Sequence, residues 1–168
     1  NTSRVRFALA IAVNAVMAIS IGRAYGQKST PPASSLPNPY TVVYDWPKLP
    51  AGRTFGSSAG IAMDSKGNIW VAERCGASLC EGTDLNPILE FDPSGKLINS
   101  FGAGMFVFPH GMYVDKDDNV WATDGRASKG KGAQVFKFSP DGKVLMTLGK
   151  AGVAGDAPDT FISPNAVV

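Results

Sequence analysis

The stretch GIAMDSKGNIWVA at positions 60–72 returns as GMYVDKDDNVWAT at positions 111–123, 51 residues later. A second stretch, ILEFDPSGKL at positions 88–97, returns as VFKFSPDGKV at positions 135–144, 47 residues later. These stretches alternate short runs of β-branched, aliphatic and aromatic residues with Asp, Asn, Gly and Pro, as strands joined by tight turns do. The chain therefore contains two copies of a unit of about 50 residues.

Four short strands in each unit predict an all-β chain and a β-propeller of four-stranded blades. We expect blade one at about 55–102, blade two at about 108–149 and the start of a third blade at 161–168. Propellers usually close with about 4–8 blades, because a single blade cannot cover both of its faces. The sequence is therefore expected to be a fragment of a larger ring, and inactive by itself.

The N-terminal segment is typical of an export signal. Arg4 and Arg6 precede an apolar run from Phe7 to Ile21, and small residues follow up to position 26. This pattern predicts a signal peptide at 1–26 and a secreted or periplasmic protein, with an uncleaved N-terminal anchor as the alternative. A Ser- and Pro-rich linker at 27–39 and the propeller at 40–168 would follow.

Composition excludes one class of function. A net charge of +2 over 168 residues, with scattered basic residues, gives no footprint for nucleic acid. After signal cleavage we expect no stable membrane association, and we expect the full-length protein to be a monomer. Cys75 and Cys80 are the only two cysteines. In an exported chain they could form a disulfide or remain two thiols, whereas a zinc site would need further ligands nearby.

Comparing the two repeats separates folding residues from candidate functional ones. Positions that match, such as Asp64 and Asp115, are assigned to folding. The position before the inner-strand glycine does not match, since it holds Ala59, His110 and Asn165 in the three units. Inner strands line the channel of a propeller, so this position faces the axis.

His110 and Arg74 are the candidates for chemistry. His110 is the only histidine, and it could be a satisfied polar residue or a ligand of a metal in the channel. Arg74 stands opposite Gly125 in the repeat. It could form an ion pair with Glu73 or a turn carboxylate, or present a fixed cation to a substrate carboxylate.

Several segments resemble the peptidyl-α-hydroxyglycine α-amidating lyase family, a six-bladed propeller of NHL-type repeats. They are FPHGMYVD at 108–115, DNVWATD at 118–124 and QVFKF at 134–138, and the spacing from Ile61 to Arg74 fits as well. The Asp-x-x-Gly-Asn-x-Trp and Pro-x-Gly turns are common to NHL propellers, whereas the Pro-His-Gly box together with Arg74 is more specific. About two of six blades are covered.

The resemblance implies a metal-dependent lyase that acts on a small peptide-like substrate in the central channel. His110 would be one of three histidines that hold a catalytic zinc, and Arg74 would be the catalytic arginine. Ile61 and Met112 would hold a structural calcium through their main-chain carbonyls. The other zinc histidines, the calcium aspartate and the catalytic tyrosine are expected beyond Val168.

Two other functions stay open at this point. One is a non-catalytic NHL-type propeller that binds a protein, a peptide or a carbohydrate. The other is a lactonase-like propeller, whose acidic and amide metal ligands could be Glu73, Asp124 and Asn165. Whether the protein is an enzyme is therefore left undecided by the sequence.

Overall fold

The computed structural model describes residues 38–168, and they form two four-stranded antiparallel sheets. Strand order follows the chain in both sheets, so each is a simple meander. No helix occurs among these residues, and none of the described segments could cross a membrane as an apolar helix. The first sheet contains β1 (Ser58–Met63), β2 (Ile69–Glu73), β3 (Ile88–Phe91) and β4 (Leu97–Phe101), and the second contains β5 (Pro109–Val114), β6 (Val120–Asp124), β7 (Gln134–Phe138) and β8 (Val144–Leu148).

The carboxylate that opens the first turn of each sheet organises that turn. Asp64 accepts hydrogen bonds from the main-chain and side-chain nitrogens of Asn68 and from the indole Nε1 of Trp70. Asp115 accepts the equivalent three from Asn119 and Trp121. The assignment of the matched aspartates to folding follows directly from these contacts.

Glycine supplies the positive φ of the first of these turns, whereas aspartate supplies it in the second. Gly67 has a φ of 82°, whereas the equivalent residue of the second turn is Asp118, with a φ of 60°. Aspartate tolerates this conformation better than most side chains do. Asp118 also accepts hydrogen bonds from the amide and hydroxyl of Ser65, which link the two turns.

The two sheets share their irregularities as well as their strands. The pairing of the inner strand is interrupted between Ser58 and Gly60 in one sheet and between Pro109 and Met112 in the other. Each bulge lets the inner strand bend and re-aims the side chains within it. The sheets are therefore two blades of one repeated design.

Most of the buried apolar side chains lie in one cluster that both sheets supply. Phe101 of β4 contacts Trp70 with ring centres 5.8 Å apart and Phe138 of the second sheet at 5.0 Å. Phe106, in the connection between the sheets, lies 5.1 Å from Phe136. Face-to-face stacking of neighbouring blades is the packing that a propeller requires, and it fixes the position of β5 beside β1.

A disulfide joins Cys75 to Cys80 within this cluster, so the disulfide alternative is confirmed. It closes a small loop in the connection from β2 to β3. Both cysteines are buried. The loop that begins directly after Arg74 is therefore covalently closed.

Residues 43–168 and the segment before them are separate units. The run Tyr40–Tyr44 has the residue types of a strand, but it forms no ladder in the described chain and its side chains are exposed. An extended, β-branched run becomes a strand only when its backbone groups pair with a neighbour. The predicted signal peptide at 1–26 and most of the linker at 27–39 lie outside the described residues.

Candidate functional site

His110 lies in the bulge of the inner strand β5, at the position that differs between the repeats. Its ring nitrogen Nδ1 is 2.9 Å from the main-chain carbonyl oxygen of Asn165. A carbonyl can only accept a hydrogen bond, so Nδ1 carries the proton and Nε2 of the neutral ring carries a lone pair. Metal-binding histidines are usually oriented in this way.

Close packing of the backbone surrounds this histidine. A Cβ atom added to Gly111 would lie 2.5 Å from the carbonyl oxygen of Asn165. A Cβ added to the equivalent Gly60 would lie 2.8 Å from the carbonyl oxygen of His110. The repeated glycine is therefore required because successive inner strands approach each other here.

Arg74 extends from the end of β2 towards the start of β5. Its Nε donates a hydrogen bond of 3.2 Å to the carbonyl of Pro109, and its guanidinium carbon lies 3.5 Å from the centre of the Phe108 ring. The same ring stacks on His110, with 5.8 Å between ring centres. Arg74 and His110 therefore meet on one aromatic side chain.

The ion-pair alternative for Arg74 is wrong. Glu73 is fully buried and pairs with Arg53, with an N–O distance of 2.6 Å, and it also accepts hydrogen bonds from the amides of Gly56 and Gly76. Within residues 38–168 no carboxylate lies within 4 Å of the Arg74 guanidinium. Burial and, to a lesser degree, the positive charge of Arg126 lower the pKa of Arg74, which nevertheless stays protonated at neutral pH.

The acidic residues that a lactonase-like site would use serve the fold instead. Asp124 is fully buried and accepts the amides of Val107 and Phe108, each at 2.7 Å. Burial raises the pKa of Asp124. Glu73 and Asp124 each hold the segment that leads into the inner strand of their blade. Among the described residues no three His, Cys, Asp or Glu side chains are grouped closely enough to hold a metal ion.

The strand register determines the direction in which the main-chain carbonyls of Ile61 and Met112 point. The amide of Asp64 bonds to the carbonyl of Asn68, and pairing then alternates along the antiparallel ladder to the pair of Ile61 with Val71. By that alternation the carbonyl of Ile61 points away from β2, towards the inner edge of the sheet. Met112 is three residues before Asp115 and has the same phase. Main-chain oxygens at this edge suit calcium, and the calcium role stays a prediction.

Sequence reasoning missed Phe108 and Arg126. The guanidinium carbon of Arg126 lies 4.4 Å from the Phe108 ring centre. The comparison of repeats contained a signal for Phe108, because Ser57 and Ser163 occupy the equivalent positions. The comparison of repeats contained no signal for Arg126, because Arg126 stands one position past Gly125, the residue that aligns with Arg74.

Comparison with known proteins finds similarity to proteins named as amidating enzymes, although no family model matches the chain. It is 31% identical over 80% of its length to peptidyl-α-hydroxyglycine α-amidating lyase 1 of Drosophila melanogaster, and 27% identical over 81% to lyase 2 of the same species. It is 32% identical over 73% of its length to the peptidylglycine α-amidating monooxygenase of Rattus norvegicus.

The chain spans only part of these relatives: 27% of lyase 1, 36% of lyase 2 and 14% of the rat monooxygenase. The predicted resemblance to peptidyl-α-hydroxyglycine α-amidating lyases is thus confirmed over most of this chain. Together with the two stacked meander sheets, it indicates that the described residues form two blades that resemble part of such a propeller.

Proposed function

We propose that this lyase-like propeller segment belongs to an exported enzyme that cleaves peptidyl-α-hydroxyglycine to a peptide amide and glyoxylate. The observation that carries the proposal is the shared contact on Phe108. An arginine without a carboxylate partner and a histidine with an available Nε2 both meet that ring at the inner edge of the blades. In the reaction the carbon–nitrogen bond of the hydroxyglycine breaks, its hydroxyl loses a proton and the amide nitrogen gains one.

Arg74 would bind the substrate carboxylate. Its Nε is occupied by Pro109, so the two terminal nitrogens are the groups left for a bidentate contact. The Phe108 ring beneath the guanidinium limits where the arginine can move. A fixed cation of this kind would orient the hydroxyglycine and stabilise negative charge that develops on it.

The residues present fit zinc as a partial ligand set. His110 would hold the ion through Nε2, because Asn165 fixes the proton on Nδ1. When bound, zinc would supply Lewis acidity at the substrate hydroxyl. Calcium would be held by the inner-edge carbonyls of Ile61 and Met112. By the resemblance, the remaining ligands and the base would lie on later blades.

A non-catalytic binding propeller is the second candidate function. It would share the same blades, and the matched turns and bulges do not distinguish the two. The free cation and the oriented histidine at one position of the inner edge favour the enzyme, because folding of the repeat requires neither residue: Ala59 and Gly125 replace them in the other copies.

Paired substitutions in the full-length protein test the proposal. His110→Ala should lower bound zinc and abolish glyoxylate release, since a three-ligand site loses much of its affinity with one ligand removed. Arg74→Ala should leave zinc content near normal and lower turnover by about 10²-fold or more. Metal analysis and a glyoxylate assay provide the two readouts.

The control is Asp64→Ala, in the repeated turn that joins β1 to β2. It should reduce the yield of folded protein while the folded fraction keeps its zinc and its turnover. A His110→Ala protein that retains both zinc and activity would exclude the lyase and favour the binding propeller.

A further inference from the structure

Arg126 is held in place by the loop that connects β6 to β7. It stands two residues after Asp124, whose buried carboxylate accepts the amide of Phe108. Its carbonyl accepts the amide of Ala133 at 3.2 Å and closes the base of the loop. The base of this loop therefore places Arg126 against the ring of Phe108, whose amide Asp124 holds.

The other cations of this loop already have partners. Lys129 pairs with Glu81 at 2.7 Å, and Lys131 donates to the carbonyl of Gly104. The side chain of Arg126 is exposed and makes neither an ion pair nor a hydrogen bond within the part of the chain that is described. Its contact is with Phe108. Arg126 is therefore the cation of the loop whose side chain makes no hydrogen bond among the described residues.

Arg126 and Arg74 are close neighbours with the same charge. Both contact the Phe108 ring, and the charge of Arg126 disfavours the protonated form of Arg74. Two guanidinium groups without a carboxylate partner around one ring form a site that a bound anion would stabilise. Arg74 is half-buried and Arg126 is exposed, so Arg126 is the more accessible of the two to solvent.

We infer that Arg126 is a specificity residue that binds a second substrate carboxylate beside the one bound by Arg74. The inference rests on the proposed function of Arg74. It selects peptides with an acidic residue immediately before the terminal glycine unit, because only a few covalent bonds separate those two carboxylates. A neutral side chain at that position would leave the donors of Arg126 without an acceptor.

Binding of two unreactive peptides to the full-length zinc-loaded protein tests this without turnover. N-acetyl-Asp-Gly and N-acetyl-Asn-Gly differ by one carboxylate, and their affinities can be compared by calorimetry. The wild type should bind the aspartyl peptide about tenfold more tightly, the effect of one charged hydrogen-bonded contact. Arg126→Gln should bind both equally, with the affinity for the asparaginyl peptide unchanged.

Lys143→Gln is the matched control, because it removes the same charge from an exposed position in the turn after β7. It should keep the wild-type preference. A wild type without the preference, or an Arg126→Gln protein that retains it, overturns the inference even if lyase activity is demonstrated. Loss of the preference only in Arg126→Gln supports it even if no turnover is found. If Arg126 had only a structural role, Arg126→Gln would change the unfolding temperature and leave the ratio of the two peptide affinities unaltered.

Discussion

The Nδ1 atom of His110 lies 2.9 Å from the main-chain carbonyl of Asn165, which belongs to the segment after the second blade. The orientation of the histidine therefore depends on how closely that segment approaches β5. Gly111 sets this distance, because it has no Cβ atom to push the carbonyl of Asn165 away. Gly111, which has no side chain beyond a hydrogen atom, thus controls the tautomer of His110, the candidate zinc ligand.

Gly111→Ala should weaken zinc binding by about tenfold or more, the usual effect of disturbing the group that orients a metal-binding histidine. Asn165→Ala should leave zinc affinity unchanged, because the acceptor is the main-chain oxygen. Competition with a chromogenic chelator measures both. Equal affinities in the two variants would show that the carbonyl of Asn165 does not orient His110.

Stability should depend on pH through Asp115. Burial opposes ionisation of this carboxyl, but hydrogen bonds from Lys137, Trp121 and Asn119 outweigh it and lower the pKa of Asp115. A folded-state pKa below the unfolded value of about 3.9 stabilises the fold above that pH and loses its effect as the pH falls. Asp115→Asn should cost about 2 kcal/mol at pH 7, and the difference from wild type should shrink below about pH 4.

Urea unfolding at pH 7 and at pH 3 would measure this dependence. Asp117→Asn in the same turn is the control, since its pairing with Lys116 is a surface contact between exposed side chains. It should change stability little at either pH. A cost of Asp115→Asn that is the same at both pH values would contradict the assignment.

The disulfide should stabilise the connection that follows Arg74. Replacing both Cys75 and Cys80 by serine should lower the free energy of unfolding by about 2 kcal/mol, the chain-entropy value for so short a loop. Reduction of the wild type should lower it by a similar amount, whereas reductant should not affect the double variant. Unfolding curves that are insensitive to reductant in the wild type would show that the bond does not form.

Export is a separate prediction, since it concerns residues outside the described part of the chain. A reporter fused after Gln27 should leave the cytoplasm, because Arg4 and Arg6 precede the apolar core of a signal peptide. Replacing part of that core with charged residues should retain the reporter. Cytoplasmic retention of the unaltered fusion would refute the prediction.

The repeat made the blades predictable, and the comparison between its copies led to His110 and Arg74. The environment of Arg74 was not predictable in the same way. Its adjacent residue in the sequence, Glu73, bonds to Arg53, twenty positions earlier, while Arg74 contacts Phe108 of the next blade. Neighbours in sequence point to opposite sides of a strand, so adjacency did not predict the pairing.

The run at 40–44 forms no strand for a related reason. Its residue types satisfy the local preferences of a strand, but pairing depends on a partner that a local pattern does not contain. The strands predicted at 60–72 and 111–123 do form. Each has its pairing partner within the same hairpin, where the turn fixes the register.

What the sequence by itself determined is therefore what local chemistry and repetition encode: strands, turns, four-stranded blades and the positions at which the copies differ. The tertiary structure decided which of those positions meet. Phe108 brings His110, Arg74 and Arg126 together, and Asp124 accepts the main-chain amide of Phe108. These contacts join residues from two stacked blades, and their geometry follows from the packing of the sheets, which no single stretch of sequence specifies.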